Sequence, residues 1–161
     1  MKKLNLGCGR DIKKGYVNVD YIKFPGVDKV LDLNKTPYPF KKNEFDFALL
    51  RNILEHLDDP KSKLLEIHRI LKPEARVLIR TPHFSSCNVW GDIEHRRGFN
   101  YATFYHPNLT SYFEPLSVKI TFSHFKFFMR PFVKLFPSFY EKHFAYIFTA
   151  VDIVVELKVK K

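Results

Sequence analysis

A nearly continuous apolar run, Phe45-Asp46-Phe47-Ala48-Leu49-Leu50, is followed by a well-marked helix and a second apolar run, Arg76-Val77-Leu78-Ile79-Arg80. No other feature constrains the fold as much. Runs with so few polar residues fit strands buried on both faces. Between them Asp59 is placed to cap a helix and Pro60 suits its first position. Leu64, Leu65, Ile67, His68 and Leu71 recur at helical spacing, and Pro73 stops the helix. Strand, helix, strand is a βαβ unit, and such units build a mainly parallel sheet.

The flanking sequence extends the pattern. Leu4-Asn5-Leu6 reads as a strand ended by Gly7, Tyr16 to Asp20 as a second, and Val27 to Leu33 as a third. After Thr81-Pro82 the pattern changes, and Pro82 to Asn100 is long, polar and without periodicity. A loop of that length in a compact domain is usually functional. Leu116 to Phe128 reads as a long strand, Ser138 to Phe148 as a helical patch, and Asp152 to Val159 as a closing strand. The expected fold is α/β and Rossmann-like, a mainly parallel sheet with an antiparallel C-terminal strand. The segment from Arg10 to Gly15 is too short for a full helix, so the first crossover is expected to be reduced.

A chain of 161 residues fits one domain, expected over 1–161, with residues 1–82 as one half and 83–161 as the other. The net charge of +10 favours an anionic partner: an anionic substrate, an acidic lipid surface or RNA. Cys8 and Cys87 fit neither a disulfide framework nor a zinc motif. The apolar stretch after Met1-Lys2-Lys3 stops at Gly7, so no signal peptide is expected, and no run approaches the ~20 apolar residues of a membrane span. The cytoplasm is the expected compartment.

Chemistry enters at Leu4-Asn5-Leu6-Gly7-Cys8-Gly9-Arg10-Asp11. A strand ends in Gly-x-Gly, and Asp20 closes the next strand, where a carboxylate can accept two ribose hydroxyls. A dinucleotide site needs a third glycine, and Ile12 stands there. Asp32 and Leu33 end the third strand and can bracket an adenine.

Taken in order, the Asn-Leu-Gly-Cys-Gly opening, the Phe-Asp strand running into Leu54-Glu55-His56-Leu57, and the Leu71-Lys72-Pro73 turn before Val77-Leu78-Ile79 resemble a class I S-adenosylmethionine-dependent methyltransferase of the type 11 group, in a short form. The likeness covers residues 2 to 82 well. It implies that Leu6, Gly7, Cys8 and Gly9 line the methionine and ribose part of S-adenosylmethionine. Asp20 would bind the ribose, with Tyr21 beside the adenine. Asp32 and Leu33 would contact the adenine, and Arg51 and Asn52 would lie near the methionine end. Glu74-Ala75 stands where such proteins carry Gly-Gly.

His83-Phe84-Ser85-Ser86-Cys87 and Asp92-Ile93-Glu94-His95-Arg96 follow the strand where such enzymes place substrate residues. His83, Asp92, His95 and Arg96 are the candidate catalytic residues: a histidine can take a proton at neutral pH, Asp92 can orient it, and Arg96 can hold an acidic acceptor. The same loop can instead serve only as a lid. His83, Cys87, Asp92 and His95 match no standard zinc spacing, so no metal is expected. Downstream, Phe122, Phe125, Phe127, Phe128, Phe132, Phe136, Phe139, Phe144 and Phe148 interleave with Lys126, Arg130, Lys134 and Lys142. This tail fits a membrane surface, a base-stacking platform, or plain packing in a core or homo-oligomer interface. The expected reaction is methyl transfer to an O, N or C acceptor, yielding S-adenosylhomocysteine. The rivals are a non-catalytic nucleotide-binding module in a complex and a basic nucleic-acid-binding protein.

Overall fold

The computed structural model describes residues 1–161; the side chain of Phe125, one of the tail phenylalanines, lies outside what is described. Seven strands form one sheet in the order β3-β2-β1-β4-β5-β7-β6. They are β1 (Lys3–Leu6), β2 (Tyr16–Asp20), β3 (Lys29–Val30), β4 (Phe45–Arg51), β5 (Leu71–Pro82), β6 (Phe113–Ile120) and β7 (Asp152–Val159). The first five pair in parallel, and β7 inserts antiparallel between β5 and β6. The helices are α1 (Pro60–Ile70), α2 (Cys87–Gly91), α3 (Pro107–Thr110), α4 (Met129–Leu135) and α5 (Pro137–His143).

The βαβ unit read from the sequence is present. Asp59 caps α1, its side chain accepting from the amides of Lys61 and Ser62, and Pro60 opens the helix. Lys63, Leu64, Ile67 and Ile70 are buried along it. One face of the sheet is dry: Leu4, Leu6, Val19, Ala48, Leu50, Val77, Ile79, Val155 and Leu157 join the core under α1. The other face carries Arg76 paired to Glu156 at 2.9 Å and Arg80 paired to Asp152 at 2.5 Å.

Several boundaries differ from the sequence reading. The third strand is only Lys29–Val30 rather than Val27 to Leu33, because β2, its partner, ends at Asp20. Pro73 does not end the helix: α1 stops at Ile70 and Pro73 lies inside β5, at an irregularity between the Phe45 and Phe47 pairings where a missing amide is tolerated. Glu74, standing where Gly-Gly was usual, takes φ +63° there. The strand expected from Leu116 to Phe128 is Phe113–Ile120. It stops because β7 begins at Asp152, so beyond Thr121 no ladder partner is left. The helical patch expected over Ser138 to Phe148 is α5, ending at His143, with α4 before it. The loop after Pro82 contains the short helix α2, capped by Ser86.

The reduced crossover between β1 and β2 holds no helix at all. Its backbone is satisfied by two buried amides that face each other in the β1–β2 register, Asn5 and Asn18. Asn5 Nδ2 donates to Asn18 Oδ1 at 3.0 Å and to the Asp11 carbonyl at 2.9 Å. Asn18 Oδ1 accepts from the Lys13 amide at 2.9 Å, and its Nδ2 donates to the carbonyls of Lys13 at 3.1 Å and Tyr16 at 3.2 Å. Buried backbone groups need partners, and these side chains supply what a helix would satisfy internally.

Candidate active site

A cleft of about 780 Å³ opens at the carboxyl ends of the parallel strands, within the usual size range of small-molecule sites. Gly7 and Gly9 after β1, Asp20 to Ile22 and Phe24 after β2, Leu31 to Asn34 after β3, and Asn52, Ile53, His56 and Leu57 after β4 line it. Ile93, Glu94 and Arg96 close it from the loop after β5.

The glycines differ in why they are glycine. Gly7 has φ +64°, and a Cβ there would lie 2.4 Å from Ile53 Cγ1. Gly9 has φ +50° with no atom within 4 Å of a Cβ, so its neighbourhood is open space. Asp20 is 5% exposed; Oδ2 accepts from the Gly9 amide at 2.7 Å and Oδ1 from the Ile22 amide at 3.0 Å. The carboxylate therefore ties the glycine loop to the end of β2 while bordering the cleft.

Of the residues implied for the cofactor, Gly7, Gly9, Asp20, Tyr21, Asp32, Leu33 and Asn52 line this cleft. Leu6, Cys8 and Arg51 do not line it. Leu6 is fully buried in the core. Cys8 is buried, its amide bonded to the Val19 carbonyl at 3.0 Å, and burial, helped by the Asp20 charge, pushes its thiol pKa up. Arg51 turns out to Asp11 at 2.8 Å.

A second cavity of about 600 Å³ adjoins the cleft and shares Asn52 and His56 with it. Glu55, Asp92 and His95 line it with Cys87, Asn88 and Asp152. Asn52, which borders both spaces, is held at φ +51° with its amide donating to the Arg80 carbonyl at 2.8 Å. The loop is bolted down through Arg96: its amide reaches the Glu55 carbonyl at 3.0 Å, its Nε the His56 carbonyl at 3.1 Å, and its guanidinium pairs with Asp58 at 2.9 Å.

His95 is the best-placed histidine. Its Nδ1 lies 2.9 Å from the Asn88 carbonyl, which can only accept, so Nδ1 carries the proton. Nε2 then faces Asp92 Oδ2 at 3.7 Å and Glu55 Oε1 at 3.9 Å. Glu55 is fully buried; Oε2 accepts from Thr81 Oγ1 at 2.9 Å, and Oε1 has no partner. Burial pushes the Glu55 carboxyl pKa up, against its hydrogen bonds and the nearby histidines. Nε2 therefore presents its lone pair to the cavity beside two carboxyl groups, Asp92 near the surface and Glu55 in the interior.

His83 is elsewhere. It is fully buried and lines neither cavity; Nδ1 is 2.9 Å from Ser85 Oγ and Nε2 is 3.1 Å from Glu141 Oε1. Hence the four residues weighed as metal ligands, His83, Cys87, Asp92 and His95, do not converge. Among the described residues the group with metal-like spacing is Glu55, His56 and His95, whose ligand atoms all lie within 4.8 Å of one another. Glu55 and His56 had no site role in the sequence reading. Their signal was the Leu-Glu-His-Leu motif itself, which marks a strand end opening onto the cleft.

Residues 7–79 match the family model of a methyltransferase domain. An uncharacterised protein of Methanocaldococcus jannaschii is 33% identical over 78 residues, which are 48% of this chain and 37% of that protein. The match thus spans little more than a third of that relative. A SAM-dependent methyltransferase from Archaeoglobus fulgidus superposes with a TM-score of 0.70 at 16% identity, over 98% of this chain and 85% of that one. The cyclase SpnF superposes with a TM-score of 0.67 at 16% identity, over 99% and 74%. At such identities the structures speak to the fold alone. The fold is the Rossmann-like methyltransferase fold, and the resemblance to class I S-adenosylmethionine-dependent methyltransferases stands in both motif and architecture.

Proposed function

We propose that this chain binds S-adenosylmethionine in the cleft and moves its methyl group to an O, N or C nucleophile held in the adjoining cavity, leaving S-adenosylhomocysteine. One observation carries the reading: two cavities meet at Asn52 and His56, at the strand ends where this fold takes its ligand. In this reading the chain is one domain, residues 1–82 serving the cofactor and 83–161 the acceptor, working in the cytoplasm.

The cofactor, when bound, supplies an electrophilic methyl on a sulfonium. The residues do the rest. Asp20 accepts the ribose hydroxyls on lone pairs left free by Gly9 and Ile22, and Tyr21, Asp32 and Leu33 border the adenine. His95, its tautomer fixed by Asn88, takes the acceptor's proton at Nε2, and Asp92 and Glu55 stabilise the imidazolium. Arg96, committed to Asp58 and the Glu55–His56 backbone, holds the loop rather than an acidic acceptor. His83 is a positioning residue.

Calorimetry tests the cofactor. S-adenosylhomocysteine should bind and NAD should not, and tight NAD binding alone would sink the reading. Asp20→Ala should weaken S-adenosylhomocysteine about ten- to a hundredfold, the scale of a charge-assisted pair. His95→Ala should keep that affinity and slow methyl transfer about a hundredfold. A wild-type rate for His95→Ala would leave catalysis to alignment alone. The helix-free crossover between β1 and β2 favours a second reading, a binding module without methyl transfer. Release of S-adenosylhomocysteine with any acceptor separates the two.

A further inference from the structure

The basic aromatic tail has two sides. On one, Phe122, Met129, Val133, Tyr140, Ala145 and Ala150 form a small second core. This is the packing use of the tail, and it consumes about half of it. On the other side Phe127, Phe128, Leu135, Phe136, Tyr146 and Ile147 are exposed by between 54 and 81%. Two of them are braced: Phe128 sits against the half-buried Phe148 at 5.8 Å and Phe136 against the half-buried Phe132 at 5.8 Å. Leu135 and Phe136 stand at the corner where α4 hands over to α5.

The charges on this side have one sign. From 122 to 148 the chain carries Lys126, Arg130, Lys134 and Lys142 and a single carboxylate, Glu141. That carboxylate is turned inward, accepting from the Tyr101 amide at 2.6 Å and lying 3.1 Å from His83 Nε2. Arg130, Lys134 and Lys142 are exposed. An exposed apolar set interleaved along the chain with cations, with no outward carboxylate between residues 122 and 148, matches the boundary between anionic headgroups and acyl chains.

We propose that this face docks the protein on an anionic bilayer surface, without spanning it. No helix among the described residues is long and apolar enough to cross a membrane. A second copy is a poor occupant, because a two-fold contact would set the same cations against themselves. RNA is a poor occupant as well, since Leu135 and Ile147 offer no face for stacking. The corner is joined to the acceptor loop through His83–Glu141 and Phe84–Tyr146, the latter rings 5.7 Å apart. Docking therefore fixes how that loop meets the membrane.

Vesicle flotation of the whole chain, without cofactor, tests this. The protein should float with vesicles of equal phosphatidylglycerol and phosphatidylcholine, less with phosphatidylcholine alone, and less again at high salt. L135S/F136S should lower binding tenfold or more. Lys134→Gln and Lys142→Gln should each lower it about fivefold. All these side chains are exposed, so the variants should melt with the wild type. Indifference of the wild type to anionic vesicles would overturn the proposal, as would wild-type binding by L135S/F136S. Binding to single-stranded RNA but not to vesicles, or a solution dimer abolished by L135S/F136S without vesicle binding, would overturn it too. None of these outcomes touches the methyltransferase reading, which is tested by S-adenosylhomocysteine binding.

Discussion

The chain steps between neighbouring parallel strands in two contrasting ways. From β4 to β5 it uses α1, a capped helix whose backbone satisfies itself and whose apolar stripe covers the sheet. From β1 to β2 it uses residues 7–15, with no helix, and leans on Asn5 and Asn18. A helix spreads its polar groups over many weak local bonds. The short crossover concentrates them on two side chains and one carboxylate. The lesson is that this wall of the cleft is built from a few long-range bonds, so it should be fragile where α1 is robust.

Asn18→Ala should break the comparison most visibly. It takes a partner from the Lys13 amide, from the Lys13 and Tyr16 carbonyls and from one N–H of the Asn5 side chain at once. At about 1–3 kcal/mol per buried unpartnered group, and allowing water to reach some of them, a loss of about 3–5 kcal/mol is expected. That is a fall of roughly 10 °C in Tm, with loss of S-adenosylhomocysteine binding. A variant with unchanged melting would show that the amides do not hold the crossover.

The glycines sharpen the same point. Gly7→Ala meets Ile53 and a left-handed backbone together, so about 2–4 kcal/mol is expected. Gly9→Ala faces only the backbone term, about 1–2 kcal/mol. Denaturant melts should rank them in that order, and equal losses would mean that Ile53 gives way freely. At the small end, Asp59→Ala removes one cap from α1 and should cost about 1 kcal/mol without altering cofactor affinity. A drop in affinity would couple the two crossovers.

Legibility in the sequence follows this contrast. The cap, the helical stripe, the apolar runs and the closing strand were legible because each is a pattern among consecutive residues. The Val27–Leu33 and Leu116–Phe128 strands were overdrawn because a strand lasts only as long as its partner, and the partner's end is written elsewhere. Gly7, Gly9, Asp20, Tyr21, Asp32, Leu33 and Asn52 line the cleft, while Leu6, Cys8 and Arg51, read from the same motifs, face elsewhere. Glu55 and His56 were passed over as motif and His83 was credited as an acid–base candidate, because exposure and orientation are not properties of a segment. The aromatic tail read as one object, yet the structure divides it between a core and an exposed corner.

The sequence by itself determined the sheet, the α1 crossover and the end of the sheet where the cleft opens, because apolar periodicity, caps and glycines act over a few neighbouring residues. Only the tertiary structure decided that Asn5 and Asn18 replace a helix, that His95 faces Glu55 while His83 is locked to Glu141, and which rings of the tail meet solvent. Those outcomes join residues 13 to 58 positions apart. Pairing at that range is selected by burial of the whole core, not by any local preference.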